Sequence, residues 1–492
     1  MNILIASPEV VPFAKTGGLA DVVGSIPKPL QKLGHNVAVI MPLYRVARAT
    51  CTKLTSTKAH IEVAVGQKTV SARIMKSTIP KSRVPVYFVD CPEYYDRAEL
   101  YGPKGEDYPD NAARFIFFSR AVLETIKALG LDIDVIHCND WQTALVPVYL
   151  KTLYDHEPAF RKTGTLLTIH NLAYQGLFWH WDMRLTSLSW NLFNWGELEF
   201  YGKLNFMKGG LVFSDILNTV SKTYAEEIQT TDEFGKGLEG VLSLRSHDLY
   251  GIVNGIDYDV WNPAKDPLIP ATYSTGKLAG KAECKKALQR KNALPVAAVP
   301  LIGLIGRLDP QKGLDLVEAI IEDLMKRDLQ LVILGTGKER YHKLLGRIAK
   351  AYPEKTAVNL TFDNQLAHEI EAGADMFLMP SRYEPCGLNQ LYSLKYGTIP
   401  IVRRTGGLAD TIVDCTPETI ASKEANGFSF EAYSPKALLG AIDRALDAYA
   451  DEKMWKQLMK IGMNQDWSWN RSAKEYEALY EKALQKHQEE TT

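Results

Sequence analysis

Six residues occur twice in this chain: Thr16–Asp21 and Thr405–Asp410 both read TGGLAD. A short apolar run precedes each copy, Asn2–Ala6 and Thr398–Val402, and a helix-like segment follows each. A strand, a paired-glycine turn and a helix start make a nest of outward N–H groups, and the helix dipole adds partial positive charge there. Lys15 with Gly17-Gly18, and Thr405 with Gly406-Gly407, are therefore candidate anion or hydroxyl sites; the alternative is two ordinary strand-to-helix turns. Lys15 has no carboxylate at i±4 that would make it a helix ion pair. One such turn in each half suggests two α/β lobes facing each other across a cleft.

Other residues of the right chemistry also follow apolar runs. In GRLDPQKG, Arg307 and Lys312 stand five apart, and Asp309-Pro310 breaks the chain so that both cations can turn toward one strand end. A planar fork beside a mobile point charge makes a diphosphate clamp, or else a solvated basic loop. In SRYEPCGLNQ, Glu384 can accept hydrogen bonds from sugar hydroxyls while the N–H groups of Cys386, Gly387 and Leu388 face a ligand. Alternatively Glu384 caps the helix beginning near Leu388. Cys386 has no evident partner base, which argues against a nucleophile. Asp140 ends one strand, and His170 and Asn171 end the next; they can converge on one sugar, or His170 is a satisfied structural residue.

The elements that must position these groups alternate. Strands are expected at Asn2–Ala6, Asn36–Met41, Val84–Val89, Asp134–His137 and Leu166–Ile169, with helices at Leu19–Leu33 and Ala112–Leu129. The pattern restarts in the second half: strands Pro300–Ile305, Leu329–Leu334 and Met376–Met379, with a helix at Leu314–Met325. Alternating strands and helices imply mainly parallel, doubly wound sheets whose ligands sit at the carboxyl ends of the strands. A hinge is placed near Val253–Asp257, and Lys453–Gln488 reads as a charged amphipathic helical stretch. Phe178–Tyr201 carries Trp179, Trp181, Trp190, Trp195 and Tyr201. Composition favours a core-capping role for it over an aromatic surface for sugars.

The bulk numbers exclude some classes. With 492 residues the chain has room for two sizeable domains, and a formal net charge of −1 argues against a general nucleic-acid or anionic-membrane binder. The six cysteines are scattered, without metal spacing, as in a reducing cytoplasm. The N-terminus enters a strand at once, and no window has the length of a transmembrane helix, so a cytoplasmic protein is expected.

KTGGLADVVG, HNLAYQG, VNGID, GRLDPQKG, PSRYEPCGLNQ and RTGGLADTI, in that order, resemble the bacterial glycogen synthase and plant starch synthase family over about Met1–Trp469. The resemblance implies an α/β, GT-B architecture: two Rossmann-like doubly wound domains across a deep cleft, at 1–253 and 254–470. A C-terminal helix and tail at 471–492 would pack back on the first domain. It implies transfer of glucose from ADP-glucose to the non-reducing end of an α-1,4-glucan with retention, and no metal or other cofactor. Lys15, Gly17 and Gly18 would bind the diphosphate side of the donor. Arg307 and Lys312 would hold the phosphates, and Glu384 with Cys386–Leu388 the glucose hydroxyls. Asp140, His170 and Asn171 would line the opposite wall of the glucose site, with Asn254 near the hinge. Phe362 would meet the adenine, although its neighbours match the family poorly, and Tyr94 or Tyr95 would be a platform for the glucan. No obvious carboxylate nucleophile stands in these motifs, which favours front-side attack over double displacement. The rival readings are a UDP-glucose-dependent transferase and an inactive glucan-binding protein. An α-glucan phosphorylase would need a pyridoxal-phosphate lysine motif, and none is found. A homo-oligomer stays open.

Overall fold

The computed structural model describes residues 1–103 and 106–491. It divides into two compact units: Met1–Gly255 with the segment from Trp469 onward, and Ile256–Ser468. The chain thus passes from one to the other at Gly255/Ile256 and returns at Ser468/Trp469.

The first unit is built on nine strands: β1 (Asn2–Ala6), β2 (Asn36–Pro42), β3 (Thr55–Val65), β4 (Lys68–Thr78), β5 (Pro85–Asp90), β6 (Val135–Asn139) and β7 (Gly164–Ile169), then, past three short strands, two more. The three, β8 (Leu177–Trp179), β9 (Glu199–Phe200) and β10 (Lys203–Asn205), form a small separate sheet; the two are β11 (Ile216–Thr219) and β12 (Leu249–Gly251). The order in the main sheet is β12-β11-β7-β6-β1-β2-β5-β4-β3. All pairings are parallel except those of β4 with β5 and with β3. That hairpin, turned at Gly66, extends a sheet otherwise expected from alternating strands and helices. Every residue of β6 and β7 is buried, as befits parallel strands covered on both faces.

The second unit holds β13 (Leu301–Ile305), β14 (Gln330–Leu334), β15 (Thr356–Asn359), β16 (Met376–Met379), β17 (Ile399–Arg403) and β18 (Phe428–Phe430), all parallel in the order β15-β14-β13-β16-β17-β18. Leu331 and Ile333 pack into one core, Val332 and Leu334 into another, so the period of two along β14 places a hydrophobic layer on each face.

Both sheets reverse their winding beside the first strand. In the first unit the order runs outward from β1 in one direction and from β6 in the other; in the second, from β13 and from β16. Such switch points leave a crevice beyond the carboxyl ends of the flanking strands. Residues after β1 and β6, and after β13 and β16, therefore have first claim on ligand chemistry.

Two long helical expectations are interrupted. The expected Leu19–Leu33 helix is two, Gly18–Ser25 and Pro27–Lys32, because Pro27 cannot continue the first. The C-terminal stretch is also two, Glu452–Asn464 in the second unit and Trp469–Thr491 in the first. The last helix packs against β7, placing Tyr480 O–H 3.0 Å from His137 Nδ1 and Tyr476 O–H 3.0 Å from Asn218 Nδ2.

Candidate active site

The nest after β1 is already filled. Glu9, almost fully buried, folds its carboxylate back onto the first glycine turn. It accepts hydrogen bonds from the N–H of Thr16, from Thr16 Oγ1 at 2.6 Å, from Gly17 N–H at 3.3 Å and from Tyr101 O–H at 2.7 Å. The N–H groups of Thr16 and Gly17, candidates for an outside anion, thus face a carboxylate of the chain itself. Lys15 is not partnerless either. Its Nζ lies 2.8 Å from Asp21 Oδ1, spanning the turn to the first helix. Burial pushes the Asp21 carboxyl above its ordinary range, with Lys15 acting against it. Gly18 opens that helix.

After β6, Asp140 adopts φ +57°, a left-handed conformation unusual for a non-glycine residue. Such backbone costs roughly 1–3 kcal/mol and persists where the surroundings hold it. Here the hold is explicit: Asp140 N–H donates to Thr168 O at 3.0 Å, and its Oδ1 accepts from His170 N–H at 2.7 Å. Burial, with a smaller contribution from the Glu9 charge, raises the Asp140 carboxyl to about 7 against the N–H groups of His170 and Asn171. Asp140 thus carries a proton near neutrality that an ordinary aspartate would have lost.

His170 has its tautomer fixed by Asn139. Asn139 Nδ2 donates to the carbonyls of Ala6 and His137, which leaves Oδ1 as the acceptor facing His170 Nε2 at 2.9 Å. Nε2 therefore bears the hydrogen. Burial lowers the imidazole to about 3, so His170 is neutral at physiological pH. The sequence reading gives Glu9, Tyr101 and Asn139 no individual role, although each falls in a stretch near a strand end where ligand chemistry is expected. Asn254, nearly buried at the end of the first unit, has a side-chain oxygen without a hydrogen-bond partner among the described residues.

In the second unit the loops after β13 and β16 meet. Lys312 Nζ lies 2.7 Å from Glu384 Oε2, and Ser381 O–H donates to the same oxygen at 2.9 Å. Glu384 is buried and does not cap the following helix, Asn389–Tyr396, whose N-cap Leu388 makes no side-chain cap bond. Arg307 stands exposed on the loop that carries Lys312. Asp309 shapes this loop by accepting from Gln311 N–H at 3.1 Å, and Gly313, at φ +69°, lets it close on β16: a Cβ there would lie 2.0 Å from Pro380 O. Cys386 is buried, and the N–H groups of Gly387 and Leu388 donate to no acceptor among the described residues.

The second glycine turn has a different job from the first. Gly407 N–H donates to the carbonyls of Glu384 and Pro385, both at 3.1 Å. A Cβ on Gly406 would lie 2.0 Å from Glu384 O, and one on Gly407 2.1 Å from Cys386 O. The repeated TGGLAD sequence here is a seat for the Glu384 loop, with Thr405 buried beneath it. Phe362 follows edge strand β15 and is 78% exposed.

One aromatic expectation is reversed. Tyr94 and Tyr95 are buried, Tyr95 donating to Arg114 O at 3.0 Å, so neither is a glucan platform. Arg114, itself buried, donates to the carbonyls of Tyr94 and Leu100 at 2.9 Å each and fixes that segment. The segment Phe178–Tyr201 does both things considered for it: Met183, Leu188 and Leu198 are buried in the first unit's core, while its tryptophans are exposed.

A starch synthase catalytic domain model matches residues 2–244, and a glycosyl transferases group 1 model matches 286–462. Glycogen synthases from Geotalea daltonii and Koribacter versatilis are each 49% identical, with 99% of this chain and 99% of theirs covered. The chain belongs to the glycogen synthase family. It is a glycosyltransferase of GT-B fold. The catalytic domain of starch synthase IV from Arabidopsis thaliana, solved with ADP and acarbose, is similar at a TM-score of 0.89 and 35% identity, over 98% of this chain and 99% of that one. Sucrose-phosphate synthase from Thermosynechococcus elongatus shares the fold at 0.59 and 18% identity, each chain covered to 98%. Of the glycogen synthase-like motifs, KTGGLADVVG follows β1, GRLDPQKG follows β13 and PSRYEPCGLNQ follows β16, strands that flank the two switch points. Among the described residues, no helix is long and apolar enough to cross a membrane.

Proposed function

We propose that this enzyme transfers glucose from ADP-glucose to the non-reducing end of an α-1,4-glucan, retaining the anomeric configuration, in the cytoplasm and without a metal cofactor. The observation that carries the reading is the joined pair of loops after β13 and β16: cationic Arg307 and Lys312 on one, the Glu384 carboxylate on the other. A relative of the same fold was solved with ADP, the group that ADP-glucose would leave behind.

In this reading Arg307 and Lys312 take the diphosphate and offset its charge as it departs, an interaction strongest in the transition state. Glu384 Oε2 is occupied by Lys312 and Ser381, so Oε1 is the oxygen offered to a glucose hydroxyl. The N–H groups of Gly387 and Leu388 add donors beside it, and Phe362 offers an exposed ring to the base. Asp140, His170 and Asn171 would serve the glucose, His170 as a neutral imidazole.

Neither Glu384 nor Asp140 has the character of a good nucleophile. Glu384 is tied to a cation through one oxygen, and Asp140 holds its proton to about 7. Both facts support front-side attack, in which the departing phosphate accepts the proton of the acceptor hydroxyl. The test is release of ADP or UDP by purified protein given ADP-glucose or UDP-glucose with glycogen. ADP release that requires the primer is the expected result; UDP preference overturns the donor, and a glucosyl group trapped covalently on Glu384 or Asp140 overturns the mechanism.

A further inference from the structure

The segment Leu177–Tyr201 supplies no group to the turns described above, yet it holds an unusual amount of aromatic surface out of the core. Trp195 is 84% exposed, Tyr201 83% and Trp179 58%, with Trp181 and Trp190 also exposed. Single exposed apolar residues need no explanation, but a contiguous set marks an interaction surface. Three of these rings are contiguous: Trp179 and Trp181 lie 6.3 Å apart between ring centroids, and Trp181 and Trp190 5.6 Å apart, edge to face.

The surface is built rigidly. Lys208, buried beneath the loop, donates from Nζ to Trp195 O at 2.5 Å and to Glu199 O at 2.6 Å. Asn194 braces the same loop, donating to Asn191 O at 2.7 Å and to Glu197 Oε2 at 2.6 Å while accepting from Gly196 N–H at 2.8 Å. A backbone braced in this way leaves only side-chain torsions to be ordered on binding.

The surface is also continuous with the candidate glucose site. β8 alternates: Leu177 and Trp179 face outward, while Phe178 packs inward with its ring 5.7 Å from that of Trp141 and 4.7 Å from that of Phe206. Trp141 immediately follows Asp140. One strand therefore braces the sugar-side loop on one face and displays a tryptophan on the other.

The charge selects the occupant. Between Phe178 and Lys203 stand two cations, Arg184 and Lys203, against three carboxylates, Asp182, Glu197 and Glu199, which does not attract a polyanion. What fits rigid indole rings with a mixed polar rim is a neutral chain with apolar C–H ring faces and hydroxyl edges. We propose that the Trp179–Tyr201 surface binds a second stretch of α-1,4-glucan, away from the reacting chain end, and tethers the enzyme to its polymer. The assignment rests on the glucan reading of the function.

Native electrophoresis through gels containing glycogen reads the tether directly, comparing the full chain with Trp195→Ala and with Trp179→Ala/Trp195→Ala. Both residues are solvent-exposed, and thermal melting verifies that the variants fold. The expected result is an apparent glycogen affinity weakened by about fivefold or more in the double variant, the scale of losing stacked rings. The ratio of turnover on glycogen to turnover on maltotriose should fall with it. Unchanged retardation overturns the proposal, as does a change in sedimentation with retardation unchanged, which would make the patch a contact between two copies of the chain. Wild-type protein that is retarded through these tryptophans yet releases no ADP would sink the catalytic reading and keep the surface; full turnover with tryptophan-independent retardation does the reverse.

Discussion

Lys312 Nζ and Glu384 Oε2, 2.7 Å apart, tie the loop after β13 to the loop after β16 at the switch point of the second sheet. The pair explains why a buried carboxylate is tolerated there, since a partnered charge escapes most of the cost of leaving water. It also makes the two residues one functional unit. Lys312→Ala and Glu384→Ala should each lower kcat/KM for ADP-glucose by about 100- to 1000-fold. The double variant should sit close to the worse single, because groups acting as a unit are not additive. Initial rates of ADP release decide it, and multiplicative losses would refute the coupling.

The legibility of this site follows the range of the interactions that build it. Arg307, Lys312 and Glu384 are readable because each directly follows a buried strand, and a parallel sheet puts such positions at its ligand end. Glu9 is not. Its role depends on the path of the chain between Ser7 and Lys15, which returns the carboxylate to Thr16 and Gly17, and no periodic pattern encodes that path. Helical spacing finds no partner for Lys15, whereas Asp21 reaches it from six residues on, across a turn. Tyr94 and Tyr95 read as a surface pair because their burial depends on Arg114, a residue twenty positions away from Tyr94. The β3–β4 hairpin leaves no mark in the expected alternation because its strands are antiparallel and lie at the sheet's edge.

Asp140 should impose a measurable pH dependence on stability. Its folded carboxyl is raised by burial to about 7, above the roughly 3.9 of an unfolded aspartate. Below that lower value the acid is neutral in both states and costs nothing. As pH rises toward 7 the unfolded chain gives up the proton while the folded one keeps it, so stability falls, then levels off above 7. Asp140→Asn keeps the size and shape of the side chain and retains an oxygen to accept from His170 N–H, the bond that holds this backbone. It should therefore gain stability over wild type progressively between about pH 4 and 7, by up to about 4 kcal/mol. Urea denaturation of both proteins at about pH 5 and about pH 8 measures the difference; an equal gap at the two values would refute it.

Gly407 tests whether the second TGGLAD turn is a seat rather than a ligand site. A methyl group there would lie 2.1 Å from Cys386 O, so either the turn or the Glu384 loop must move. Gly407→Ala is expected to lower kcat by at least about 100-fold, since a displacement of about 1 Å near a reacting centre has that scale. At Gly17 an added methyl group would meet no atom within 4 Å, so Gly17→Ala should fall far less. Comparable losses in the two variants would mean that both turns touch substrate directly.

Glu9 gives the last contrast. Its carboxylate accepts from the N–H groups of Thr16 and Gly17 and from Tyr101 O–H, so removal deletes the one acceptor that ties these three donors together. Glu9→Ala should cost about 1–3 kcal/mol in urea unfolding, the scale of losing hydrogen bonds to a charged acceptor. Glu9→Gln keeps one carbonyl oxygen and should cost less. Because the Glu9 charge also holds the Asp140 proton on, either substitution should lower the Asp140 titration midpoint, which carboxyl-resolved NMR of labelled aspartates reports. An Asp140 midpoint that stays in place in Glu9→Gln would show that the two acids do not sense each other, and the turn after β1 would then act on the glucose site through backbone placement alone.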